Sequence, residues 1–285
     1  MTPPKQPPPN HDRGLEYDLA TLHRRRFLGL FTAAGLAAVA GCASDDSTMT
    51  STPSSSPTST TPSASSSTPS TTTDASTDVD EIPQETGGPY PGDGSNGPNV
   101  LTQSGIVRSD ITKSFGSASG VATGVPLTVE LTIVDANQDE ALEGAAVYLW
   151  HCDAQGRYSL YSDGVTNENY LRGVQAADGS GKVTFKTIFP AAYMGRWPHI
   201  HFEVYASAAE ATKAGQITRT SQLALPKDVC STVYATDGYD GSAQNLSQTS
   251  LENDNVFGDD DGVHQLATVA GDVSGGYVAT LTVGV

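Results

Sequence analysis

The strongest constraint on this chain is a strict two-residue alternation near its middle. Leu127, Val129, Leu131 and Ile133 alternate with Thr128, Glu130 and Thr132. Successive side chains of an extended strand point to opposite faces, so the apolar set lines a core and the polar set faces water. Further strands are expected at Ala146–Trp150, at Lys182–Ile188 with Val183 and Phe185 on one face, and around Ile200, Phe202 and Val204. Ser221–Leu225, Leu266–Ala270 and Tyr277–Val283 follow. Turn-forming runs such as Asp178-Gly179-Ser180-Gly181 and Asp259-Asp260-Asp261-Gly262 separate them. No stretch sustains a long helical period, although Ser207–Lys213 has room for a short helix. Short strands joined by turn-rich connections predict an all-β fold, a β-sandwich.

The first part of the chain has a different composition. Arg24-Arg25-Arg26 precede Phe27-Leu28-Gly29-Leu30 and an apolar run reaching Val39-Ala40. That run is shorter than the roughly 20 residues a bilayer-spanning helix needs. It fits the cationic head and apolar core of an export signal. The string RRRFLGL resembles a twin-arginine signal, and Val39-Ala40-Gly41-Cys42 resembles a lipobox, whose cysteine is lipidated and becomes the first mature residue. A cleaved soluble signal with Cys42 incidental is the alternative. Residues 42–80 are almost wholly Ser, Thr, Pro and Asp, too poor in apolar groups to offset the entropy of ordering, and read as a disordered tether. The expected organisation is a signal over 1–41, a linker over 42–80 and one domain over 81–285, which places an extracytoplasmic domain on the membrane through a lipid on Cys42.

Charge narrows the partners. Residues 1–41 hold five of the 15 Lys and Arg and three of the 32 Asp and Glu, leaving 10 positive against 29 negative side chains, or −19. So acidic a chain is a poor partner for nucleic acid. Beyond Cys42, Cys152 and Cys230 remain as a pair, and an oxidising compartment permits a disulfide between them.

Chemistry concentrates in Arg196-Trp197-Pro198-His199-Ile200-His201-Phe202-Glu203-Val204-Tyr205. On a strand His199 and His201 share one face, with roots about 6–7 Å apart. Such a pair either converges on an ion or is satisfied by hydrogen bonds, and zinc or copper would use the same pair. Tyr193 lies six residues before His199, and Tyr158 follows the Gly-containing turn Ala154-Gln155-Gly156-Arg157. Phenolate is a hard anionic donor that suits ferric iron and suits zinc poorly. A bound cation of high charge would strip both phenols of their protons far below the usual pKa of about 10.

The segments GGPYPGDG, IVRSDIT, LWHCDAQGRYSLY, NYLRG, DGSGKVTFKTIFPAAYMGRWPHIHF and TSQLALP, in that order, resemble the intradiol catechol dioxygenases, particularly their exported single-domain bacterial members. The resemblance implies one Fe(III) per chain held by Tyr158, Tyr193, His199 and His201. It also implies a reaction in which both atoms of O2 enter between the two hydroxyl-bearing carbons of a catechol-type aromatic, giving a cis,cis-muconate-type product. By the same resemblance Tyr193 is the ligand that leaves when substrate binds and helps deprotonate it, Arg196 stabilises negative charge developing on the substrate, and Gln222 is the family's glutamine on the following strand. Two departures touch the pocket loop: Pro190-Ala191-Ala192-Tyr193 stands where the family has a glycine after proline, and Trp197-Pro198 precedes His199 where many relatives have another residue and alanine. Two rival readings fit part of the pattern: a non-catalytic β-sandwich binding module, and a zinc- or copper-binding surface lipoprotein using His199 and His201 alone. Tyr90 is a candidate for the pocket mouth, His151 for a structural role. His264 beside Asp259–Asp261 reads as part of a solvated acidic loop.

Overall fold

The structure is a computed structural model that describes residues 79–285. The signal, Cys42 and nearly all of the linker lie outside the described residues. Among the described residues no helix is long and apolar enough to cross a membrane.

Among the described residues nine strands form two sheets: β1 Pro126–Asp135, β2 Glu140–Ala141, β3 Ala146–Trp150, β4 Arg172–Ala176, β5 Lys182–Ile188, β6 His199–Tyr205, β7 Ile217–Ala224, β8 Thr268–Asp272 and β9 Gly276–Gly284. The first sheet runs β2-β1-β9-β8, with β5 also paired to β1; the second runs β4-β3-β6-β7. Every pairing is antiparallel except β1 with β9, which is parallel. Three short helices decorate the second half: α1 Ala208–Ala211, α2 Lys227–Val233 and α3 Ser242–Ser247. Ser207 caps α1 by accepting from the Glu210 N–H.

The alternation in β1 does what it predicts. Leu127, Val129, Leu131 and Ile133 are buried, and they pack with Val183 and Phe185 of β5 and Ala279 and Val283 of β9 against Val147, Leu149, Ile200, Phe202 and Val204 of the second sheet. Each such side chain stabilises by about 1.5–3 kcal/mol on burial. The polar faces of β1 and β5 turn to solvent.

The second sheet is buried on both faces. Its outer side carries Tyr148, Trp150, Val174 and Tyr205, covered by Val100, Leu101 and Ile106 from the segment that precedes β1 and by Tyr158 and Ala191. All residues of β3 and β6 are consequently buried. Predicted strand limits agree to within a few residues; β7 shifts most, beginning at Ile217 rather than Ser221, and β8 lies at Thr268–Asp272. Strands β2 and β4 and helices α2 and α3 have no counterpart in the sequence reading. Cys152 and Cys230 are both buried free thiols, and the disulfide that the sequence permits is not formed. Cys152 Sγ points instead at the Ala191 carbonyl, 3.6 Å away.

Candidate active site

The site lies on the outer face of the second sheet, where β6 begins. His199 and His201 project from it together, with Nε2 atoms 3.1 Å apart. His199 Nδ1 lies 2.5 Å from the Trp197 carbonyl. That oxygen only accepts, so Nδ1 carries the proton and the Nε2 lone pair faces the site. The His201 ring stacks on Trp150, its antiparallel partner on β3, at 4.9 Å and 4°.

Tyr158 comes from the turn after β3. Asp153 shapes that turn: its Oδ1 accepts the Gln155 and Arg157 N–H groups, and its Oδ2 accepts Arg157 Nε. Gly156 supplies the left-handed step at φ +77. Tyr193 is placed by the loop after β5. There Ala191 N donates to the Asp153 carbonyl, while Ser242 Oγ and Asn245 Nδ2 of α3 bind the peptide groups of Ala192.

Four donor atoms then close a ring. Its remaining edges are His201 Nε2 to Tyr158 Oη at 3.2 Å, Tyr158 Oη to Tyr193 Oη at 3.4 Å, and Tyr193 Oη to His199 Nε2 at 3.0 Å. Ligands about 2.0–2.2 Å from a small cation, at angles between octahedral and tetrahedral, are separated by about 3.0–3.5 Å. The ring therefore fits one metal ion. Burial, then the neighbouring Arg196 charge for His199 and the neighbouring His199 for His201, hold both imidazoles well below their ordinary pKa, so their lone pairs are available. Burial pushes Tyr158 well above the usual phenol range and Tyr193 up to about 12. Both phenols thus keep their protons unless a strongly charged cation displaces them. Among the described residues no group of three or more His, Cys, Asp or Glu is placed to hold a metal, so a metal at this ring draws on the phenols.

Arg196 faces the ring, with NH1 3.5 Å from His199 Nε2. Its NH2 donates to Gln222 Oε1 at 2.6 Å and its Nε to Asp254 Oδ2 at 2.9 Å. Gln222 sits opposite His201 in the β6–β7 register, and its Nε2 donates to the Thr86 carbonyl at 2.9 Å. The structure thus gathers all six residues singled out by the sequence: four in the donor ring, Arg196 beside it and Gln222 behind Arg196.

A strap over residues 86–92 roofs the ring. A Cβ at Gly88, which sits at φ +70, would lie 3.2 Å from His201 Cε1. Tyr90 follows with its ring 5.1 Å from those of both Tyr158 and Tyr161. Beneath the strap is Arg172, fully buried, and its five bonds join two segments. They run to the Tyr90 and Pro91 carbonyls, the Tyr148 hydroxyl, and the carbonyl and Oγ of Ser159, next to Tyr158. His151 is a satisfied core residue between the Cys152 carbonyl and Thr187 Oγ1. His264 lies 3.7 Å from Asp80, away from the ring.

Sequence reasoning missed Arg172 and Asp254. The LRG string around Arg172 stands out only as part of a resemblance, and Asp254 lies within an acidic stretch in which no position stands out.

A family model described as dioxygenase matches residues 96–238, which include the four donors, Arg196 and Gln222 but not Asp254. Among solved structures, an intradiol ring-cleavage dioxygenase from Tetranychus urticae is 26% identical over 63% of this chain and 86% of its own, with a TM-score of 0.53. Another dioxygenase structure is 25% identical over 63% of this chain and 85% of its own, at TM-score 0.52. The dioxygenase domain of a dioxygenase–carbohydrate-binding fusion from Streptomyces sp. SirexAA-E is 21% identical over 72% and 98%, at TM-score 0.43. The chain belongs to the intradiol ring-cleavage dioxygenase family. Members of that family are oxidoreductases that act on catechol-type aromatics with O2 and use ferric iron.

Proposed function

We propose that this protein is an Fe(III)-dependent intradiol dioxygenase that opens a catechol-type ring between its two hydroxyl-bearing carbons to give a cis,cis-muconate-type diacid. The observation that carries the reading is the closed ring of two imidazole and two phenol donors, with edges of 3.0–3.4 Å. Tyr158 Oη, Tyr193 Oη, His199 Nε2 and His201 Nε2 would hold one iron. An Fe(III) held there would supply a Lewis acid that draws electron density from a catechol and would make its ring reactive towards dioxygen.

The protein's own groups divide the remaining work. Tyr158 is 3% exposed and hemmed in by the Tyr90 and Tyr193 rings, which suits a ligand that stays. Tyr193 is half-buried and continues into the exposed Met194 and Gly195, which gives it room to move. Its Oη, in the phenolate form that a bound cation would produce, is the group that accepts a catechol proton. Arg196, an obligate cation beside His199, stabilises negative charge on the substrate. Gln222 fixes one arm of the Arg196 fork. The Gly88 roof excludes bulk water over His201 and strengthens these interactions. The twin-arginine-like string RRRFLGL and the lipobox-like Val39-Ala40-Gly41-Cys42 support an enzyme that works outside the cytoplasm, anchored through Cys42.

The test is direct. The full chain, loaded with iron, is expected to hold about one iron per chain, to be coloured by tyrosinate-to-iron charge transfer, and to consume O2 in a screen of catechols. Colourless protein carrying stoichiometric zinc after growth in iron-rich medium would refute the proposal.

A further inference from the structure

We infer that Asp254 is a positioning residue for Arg196, a role that rests on the reading of Arg196 given above. Its carboxylate is fully buried and 58 residues away from Arg196 in sequence. It nevertheless accepts four N–H groups. Oδ2 takes Arg196 Nε at 2.9 Å and the Trp197 N–H at 2.6 Å, while Oδ1 takes the Val256 and Phe257 N–H groups at 2.8 and 3.2 Å. One side chain thus ties the loop 254–257 to the residue pair that leads into His199.

The geometry at Arg196 leaves it one orientation. Asp254 fixes Nε, Gln222 fixes NH2, and NH1 is left pointing at the ring, 3.5 Å from His199 Nε2. Phe257, drawn in by the Asp254 bond to its own N–H, lies under the guanidinium at 5.9 Å and edge-on to His199 at 6.5 Å. A guanidinium is planar, so holding two of its three nitrogens sets the direction of the third. Gln222 is neutral, which leaves Asp254 as the charged partner of this cation. Asparagine at 254 would keep the shape but turn its NH2 towards donors on one side, either Arg196 Nε and the Trp197 N–H or the Val256 and Phe257 N–H groups, and in both orientations the negative charge that faces Arg196 is gone.

Two measurements test this. In metal-free full-length protein, the Arg196 Nε–H is expected to give a slowly exchanging side-chain NMR signal that disappears in Arg196→Lys. Fast exchange of that proton in the wild-type chain would overturn the inference, whether or not the protein turns over catechol. In iron-loaded protein, Asp254→Asn is expected to retain iron and colour and to lose roughly 10–100-fold in kcat, the range typical of outer partners of a site. The catechol dissociation constant, read from the visible band, should change much less. Asp254→Glu, which restores the carboxylate, should recover part of the rate. The double variant Arg196→Met/Asp254→Asn should be no slower than Arg196→Met alone, because the second change has nothing left to act through. Losses that multiply would mean that Asp254 only supports the loop. If Asp254→Asn does not fold, the NMR signal of the wild-type chain still decides. If wild-type protein turns over no catechol but the signal is present, the proposed function fails and the positioning of Arg196 stands.

Discussion

Arg172→Met gives a stability test whose size follows from the hydrogen bonds. Of the five acceptors that Arg172 serves, Pro91 O keeps a donor in the Tyr148 hydroxyl at 2.6 Å. The Ser159 and Tyr90 carbonyls keep none, the first in a fully buried setting and the second in a partly buried one. An acceptor left unpaired in the interior costs about 1–3 kcal/mol, so two cost about 2–6 kcal/mol. Methionine fills most of the volume, which keeps any cavity contribution small. At about 2–4 °C per kcal/mol for a domain of this size, Tm should fall by about 5–20 °C. Arg172→Lys should fall between, since an ammonium has three donors where five are used. Differential scanning calorimetry of the full chain at neutral pH measures it. A drop below about 2 °C for Arg172→Met would mean that the strap and the Tyr158 turn do not depend on this cation, and the clamp described above would be wrong.

Other predictions separate the site residues and the chain's further features. Tyr193→Phe should keep iron and still bind catechol but lose on the order of 10²–10⁴-fold in turnover, whereas Tyr158→Phe should lose iron as well; equal turnover by Tyr193→Phe and wild type would refute its role as base. Burial first, and then Asp259, push the Glu85 carboxyl from 4.5 up to about 8. The folded state therefore holds a proton that the unfolded chain has released, and the stability this contributes is full below about 4.5 and lost as pH rises to 8. Glu85→Gln should flatten that decline and raise Tm above wild type at pH 9 with little change at pH 4; parallel Tm–pH curves would refute it. Wild-type protein expressed in a host that processes lipoproteins should fractionate with membranes, and Cys42→Ser should release it or block its maturation, since stable anchoring takes two acyl chains; wild-type protein wholly in the medium would refute the lipobox reading.

The strands legible in sequence are those with a regular side-chain pattern, whether one face meets water, as in β1 and β5, or both faces are buried, as in β3 and β6. β1 and β5 alternate, and β6 carries apolar residues on the inner face with two histidines at i, i+2 on the other. β4 was not legible because its first three residues are buried on both sides of the sheet and one of them is Arg172. A charged residue ordinarily argues against a core position, and here five hydrogen bonds reverse that rule. α2 and α3 are seven and six residues long, too short for a helical period to emerge. In the site, the histidine pair followed from strand geometry. Tyr158 and Tyr193 could be chosen among eleven tyrosines only through a resemblance. Asp254 was invisible because its partner is set by loop packing, and nothing local distinguishes it from Asp259, Asp260 or Asp261.

The parallel pairing of β1 with β9 bears on how the domain folds. Leu127 pairs with Tyr277 and Val134 with Gly284, so the middle of the first sheet is zipped across 150 positions of chain. Among the described strands β8 pairs only with β9, and Ile82 N donates to the Gly284 carbonyl. Until residues 276–284 arrive, β1 therefore has a bare edge, β8 has nothing to pair with, and Tyr277, Ala279 and Val283 are missing from the core. Contacts this distant make folding slow, on the order of milliseconds to seconds, and the waiting edge is a template for aggregation. A chain cut before Gly276 should accumulate as aggregate even though every residue of the candidate site is present in it.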